Sequence, residues 1–128
     1  MNSEGPRDLK ERLKEYALWI IRTYCSLSKR DDVAMVLGRQ VLKSGTSPGA
    51  HHREACRARS TAEFISKMEG GLQELEETEY WLDLLEGSER LPRDTAAPLV
   101  RETRELNAIF TASIKTAKRR KREHDENA

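Results

Sequence analysis

The sequence predicts an all-α protein, an antiparallel up-down-up-down four-helix bundle, on three observations. Apolar residues recur at spacings of three and four along four long stretches. Charged residues make up 35% of the 128 residues against only 7 glycines and 4 prolines, a composition of long solvated helices rather than of sheet or disorder. The run Gly38-Arg39-Gln40-Val41-Leu42-Lys43-Ser44-Gly45-Thr46-Ser47-Pro48-Gly49-Ala50 sets small residues and a proline inside a stretch that otherwise keeps helical period, as suits a helix approached closely by a neighbour. The length is that of one domain, residues 1–128, with a single core.

The first helix is expected over about residues 6–28. Pro6 suits a first turn, and Leu9, Leu13, Tyr16, Ala17, Ile20, Tyr24 and Leu27 form its stripe. Trp19 and Ile21 lie off that stripe and widen the apolar surface beyond one seam. Asp31 or Asp32 can cap a second helix over 31–57, with Val33, Leu37, Val41, Ser44, Ser47 or Pro48, His51 and Ala55 on one face. Pro48 has no N–H and its ring meets the carbonyl of Ser44, so a kink is expected near Pro48; one bent helix is preferred over two separate ones. Gly45, Ser47 and Gly49 belong to the same close-packing and kink region.

Ser60 and Glu63 have the spacing of a reciprocal capping box and open a third helix over 61–86. Its stripe is Phe64 or Ile65, Met68, Leu72, Leu75, Thr78, Leu82 and Leu85, with Gly87 and Ser88 at its end. A fourth helix is expected over 94–120, capped by Asp94 or Thr95, with Leu99, Thr103, Leu106, Phe110, Ser113 and Ala117 inward and a frayed tail over 121–128.

The formal net charge of +1 conceals strong segregation: residues 60–89 carry −8, residues 30–59 carry +3, and residues 92–122 carry +6. No run reaches the roughly 20 apolar residues that a membrane span needs, and Met1-Asn2-Ser3-Glu4-Gly5-Pro6 is unlike a secretory signal, so a cytoplasmic protein without a membrane role is expected. Cys25 and Cys56 have no CxxC spacing and read as small buried or half-buried apolar side chains.

The Gly38 to Ala50 run, followed by Arg53-Glu54-Ala55, then Ser60-x-x-Glu63-Phe64-Ile65-x-Lys67, then Glu74-x-x-Glu77-Thr78-x-Tyr80-Trp81-Leu82, resembles the bacterial four-helix-bundle family typified by 23S ribosomal RNA intervening-sequence proteins. The accessory variability determinant proteins of diversity-generating retroelements look similar. The resemblance spans about residues 8 to 120 and rests on the order of these blocks. It implies a bundle that assembles as a ring-like homopentamer, without known catalysis, in a nucleic-acid-binding or scaffolding role. Where members often carry Asn after the small-residue run, this chain has His51. A ring joins two different faces of each subunit, which would account for the wide stripe on the first helix and for the charge segregation.

Lys115, Lys118, Arg119, Arg120, Lys121 and Arg122 are the best candidates for contact with RNA or DNA, since phosphate binding asks for little more than several cations along a strand. No aromatic residue interleaves with them, so sequence preference should be weak. Arg53 and Arg57, with Arg59, His51 and His52, form a second basic patch that could instead pair with the acidic third helix of the same or a neighbouring subunit. Trp19, Tyr80 and Trp81 are candidate interface anchors. His51, Glu54, Glu74 and Glu77 lack the paired Glu-x-x-His motifs of di-iron bundles, so no metal or cofactor is expected, and His51 should be buried and hydrogen-bonded to Glu74 or Glu77. No nucleophile motif or phosphate loop is present, which points to a non-enzyme. The expected function is a cytoplasmic homo-oligomer binding nucleic acid through basic patches, with a ribosomal or reverse-transcriptase partner; the alternative is a scaffold with no nucleic-acid role.

Overall fold

The computed structural model describes residues 8–128, and among these it contains four α-helices and no strand. They are α1 (Leu9–Cys25), α2 (Asp32–Cys56), α3 (Thr61–Gly87) and α4 (Arg93–Asn127). The helix start expected at Pro6 lies outside the described residues. Asp8 caps α1, its carboxylate accepting from the Lys10 N–H at 3.3 Å. At the other end the helix stops at Cys25 rather than Ser28. The Ser26 N–H and hydroxyl both bond back to the last turn, and Leu27 folds into the core.

Asp31 caps α2 by accepting from Val33 and Ala34, and its second oxygen accepts from the Arg90 side chain at 2.9 Å. The turn after α3 is thereby tied to the start of α2. These bonds, that from Ala34 foremost, hold the Asp31 carboxyl below the usual carboxylate range. Ser60 caps α3 through the Glu63 N–H at 3.0 Å, while the Glu63 carboxylate reaches past it to the Arg59 N–H at 2.9 Å. The expected box is therefore closed one residue early. Neither Asp94 nor Thr95 caps α4: the helix begins at Arg93 behind Pro92 with no side-chain cap. Nor does α4 end near residue 120. No glycine or proline interrupts Lys118 to Asn127, and the pairs Arg119–Glu123 and Lys121–Asp125 support the extra turns.

The long segment of small residues is one helix with Pro48 inside it. Immediately before it, the hydroxyls of Thr46 and Ser47 donate one turn back to the carbonyls of Leu42 and Lys43 at 2.7 and 2.6 Å. The buried face of α2 is Ala34, Gly38, Val41, Ser44, Gly45, Pro48, His52 and Ala55, so Val33 is exposed and Leu37 and His51 are half-buried at the edge of the face expected of them. The reason is steric. A methyl group on Gly45 would come within 2.7 Å of the Ile20 side chain, and one on Gly38 within 2.6 Å of Leu27. Val33 and Val36 are turned outward, while Val41 stays buried. On α4 the stripe runs Leu99, Thr103, Leu106, Phe110 and Ile114, with Ile114 taking the place expected for Ser113.

α2 packs against α1 and α3, and α3 against α4. Contacts descend in one helix as they climb in the next: Leu13, Ile20 and Leu27 meet Gly49, Gly45 and Gly38, and Glu79 and Glu69 meet Arg104 and Lys118. α1 and α4 are joined by the Arg12 guanidinium, bidentate on Glu102 at 2.8 and 2.7 Å and also on Glu105. Those bonds, the Glu102 one above all, hold Arg12 still more firmly in its charged form.

At the centre each helix contributes one buried hydroxyl. Tyr16 lies 2.7 Å from Thr103, and Thr78 donates to Ser44 at 2.7 Å. Thr103 and Thr78 lie 2.8 Å from the carbonyls of Leu99 and Glu74. With one hydrogen per hydroxyl, donation from Tyr16 to Thr103 leaves Thr103 free to donate to its own helix, while the Thr78 hydroxyl shares its hydrogen between Ser44 and the Glu74 carbonyl. Burial pushes the Tyr16 hydroxyl well above its usual ionisation range, so it remains a neutral donor. Replacing Thr78 by Val should lower the unfolding free energy by about 1–3 kcal/mol in urea titrations, because the buried Ser44 hydroxyl loses its partner. Adding Ser44→Ala to that variant should cost less than Ser44→Ala does alone.

Candidate nucleic-acid interface

The two basic patches, distant in sequence, come together at one end of the molecule. α2 ends there at Cys56 with Arg57 as its cap, α3 starts there, and α4 passes it in its last turns. A cleft of about 540 Å3 at this end is lined by Arg59 from the turn and Arg120 from α4, with Cys56, Ser60, Phe64 and Ala117 among its walls. Arg53, Arg57, Lys115, Lys118, Arg119, Arg120, Lys121 and Arg122 are all exposed. Three of these charges are engaged: Lys118 with Glu69 at 3.0 Å, Arg119 with Glu123 at 3.8 Å and Lys121 with Asp125 at 2.9 Å. Arg53, Arg57, Lys115, Arg120 and Arg122 pair with no acid among the described residues, so the intramolecular pairing with α3 expected for Arg53 and Arg57 does not occur. The carboxylates from Glu74 to Glu86 lie on the half of α3 away from this end.

The aromatic candidates occupy separate faces. Trp19 is half-buried on the α1–α4 side, beside Arg12, Arg22 and Glu102. Tyr80 is 56% exposed and its ring lies 5.1 Å from that of half-buried Trp81, whose indole N–H has no hydrogen-bond partner among the described residues. Tyr80 also borders a groove of about 860 Å3 between α3 and α4, with Glu76, Glu79 and Asp83 on one wall and Arg101 and Arg104 on the other. Leu18, Ile21, Val33 and Val36 are exposed as well.

Gly45 and Pro48 are buried, Ser47 and Gly49 half-buried, all within the α1–α2 packing region rather than at a ligand site. His51 departs from its expected bond to Glu74 or Glu77. Its ring rests on the bare backbone of Gly70 with its Cβ beside Gly71, and among the described residues its Nδ1 has no hydrogen-bond partner. Among the described residues no group of three metal-binding side chains occurs.

One arrangement was not anticipated in the sequence: the Cys56 Sγ lies 3.5 Å from His52 Nε2, one helical turn earlier. The i,i+4 spacing on α2 was the available signal. Both cysteines are exposed, against the expectation that they pack as buried or half-buried apolar groups, because Cys25 and Cys56 each fall at a helix end. His52 itself is 9% exposed, and its burial holds the imidazole below its ordinary value near 6.5. Protons therefore bind the unfolded form first as pH falls. The His52 contribution is fully present above about pH 6.5 and is lost below it. Urea unfolding at pH 7.5 and pH 5 should show a loss of stability in acid that His52→Gln makes smaller.

The solved structure of a protein of unknown function from the S23 ribosomal protein family of Bacteroides thetaiotaomicron VPI-5482 is similar to this chain, with a TM-score of 0.79 and 36% identity over 84% of this chain and 99% of that one. No curated protein matches the chain. The family described as 23S rRNA-intervening sequence protein matches residues 8–112, a span that includes the small-residue run and all of α1, α2 and α3 but stops short of Lys115. With well over half of its length matched, the chain belongs to the 23S rRNA-intervening sequence protein family.

Proposed function

We propose that this protein is a non-catalytic, cytoplasmic helical bundle that associates with copies of itself and binds RNA or DNA through its basic end with little sequence preference. The observation carrying this reading is that Arg59, from the turn after α2, and Arg120, from α4, line one cleft. Phosphate contacts of this kind bind by charge and counterion release, without reading bases. No aromatic ring lies among the exposed cations of Lys115 to Arg122 to stack on a base.

The architecture in this reading is antiparallel up-down-up-down, supported by the opposite numbering of contacts along each neighbouring pair. A bend of α2 near Pro48 is supported by the missing N–H and by the hydroxyls of Thr46 and Ser47 bonded one turn back. Self-association is supported by apolar side chains left outside: Val36 is 53% exposed, Val33 45% and Leu18 44%. They lie on more than one helix, as a head-to-tail ring would use them, and a ring of five is what the family resemblance implies.

Fluorescence anisotropy against a generic RNA and a single-stranded DNA should show binding that weakens steeply with salt. Arg120→Ala with Arg122→Ala should reduce the slope of log affinity against log salt by about 1.4 on a single strand. Absence of binding at low micromolar protein in low salt leaves the scaffold reading in its place. Light scattering on a sizing column should give a multiple of 14.7 kDa, and Val36→Asp with Tyr80→Asp should lower that mass. A monomer at every concentration would remove self-association.

A further inference from the structure

We propose that Cys56 is a thiol–disulfide exchange site for a carboxylate-bearing low-molecular-weight disulfide of the glutathione class, seated in the cleft between the end of α2 and the start of α3. This goes beyond the nucleic-acid reading and does not depend on it.

Four features converge there. Cys56 is exposed at the last position of α2 and forms part of the cleft wall. His52 holds its Nε2 3.5 Å from the sulfur, and its ring is fixed by burial and by tilted packing on Phe110 at 6.4 Å. Among the described residues its Nδ1 has no hydrogen-bond partner, and the thiol is the hydrogen-bond contact of its Nε2. Arg59 and Arg120 face the same cleft, neither with an acid paired to its side chain, while Phe64 and Ala117 supply an apolar floor. A volume of about 540 Å3 falls within the range of about 300–1,000 Å3 usual for small-molecule sites.

The chemistry needs nothing further. The Cys56 thiol donates to His52 Nε2, which burial keeps neutral and available as an acceptor, and the proton moves along that bond only as the sulfur attacks one sulfur of the disulfide, since burial disfavours a lasting imidazolium. The Cys56–sulfur bond forms as the original sulfur–sulfur bond breaks, and the departing thiolate collects the proton from His52. One disulfide and one thiol are consumed and one of each is produced. Arg59 and Arg120 would hold the carboxylates of the incoming molecule and bias the exchange toward anionic disulfides.

Cys25 provides an internal comparison, being exposed with no hydrogen-bond partner among the described residues. The reduced protein is mixed with excess oxidised glutathione, quenched in acid and mapped by mass spectrometry of its peptides. Parallel reactions with uncharged hydroxyethyl disulfide report the plain accessibility of each thiol. With oxidised glutathione, Cys56 should be modified about 10-fold faster than Cys25 after that correction, as a base-assisted thiol beside cations requires. Arg59→Ala with Arg120→Ala should slow the glutathione reaction several-fold and leave the uncharged one unchanged. His52→Gln should slow both at Cys56. These arginines lie on the surface, so their variant decides the matter even if His52→Gln does not fold. Equal corrected rates at the two cysteines, or an arginine variant that reacts with oxidised glutathione as fast as the parent, would overturn the proposal. Neither result bears on the anisotropy measurements.

Discussion

A single layer of hydroxyls sets the register of the four helices. Hydrophobic stripes alone tolerate sliding, since one leucine replaces another after a turn. Tyr16, Ser44, Thr78 and Thr103 do not, because each is buried and each finds its partner on a different helix or its own carbonyl. A slip of any helix by one turn would strand hydroxyls in the apolar interior at about 1–3 kcal/mol apiece. The small residues act perpendicular to this, setting how near α1 lies to α2, while the hydroxyls set where along its length it stops.

Much of this was legible in the chain, and the failures share a physical cause. Ser60 with Glu63, Asp31 before Val33, and the Leu75, Thr78, Leu82, Leu85 stripe announce themselves because caps and large apolar side chains have strong local preferences. α2 misleads for the converse reason: periodicity weights bulk, so Val33 and Leu37 look like core, whereas the buried positions belong to Ala34 and Gly38, which have little hydrophobicity to detect. The outward-facing valines are then surplus to the single chain. His51 was misjudged because its neighbour is the bare backbone of Gly70 rather than a carboxylate, a contact no charge pattern encodes.

The candidate site was legible only in pieces. Each basic run could be seen along the sequence, but their meeting at one cleft follows from the lengths and turns of α2, α3 and α4 together. The pairing of Lys118 with Glu69 and of Lys121 with Asp125 likewise separates engaged cations from unengaged ones in a way that counting residues does not. Family similarity extends over residues 8–112, so the reading of Lys115 to Arg122 rests on this chain's own residues. The same holds for Cys56 and His52, whose contact is fixed by helical geometry but whose surroundings come from α4.

The separation of arginines at one end from the carboxylates of Glu74 to Glu86 along the far half of α3 makes the molecule behave as a compass needle. In the field of any polyanion the two ends experience opposed forces, and the resulting torque swings the arginine end inward before the surfaces touch. Encounters are thus pre-aligned, and the fraction of collisions arriving in a usable attitude falls as added salt shortens the reach of that field.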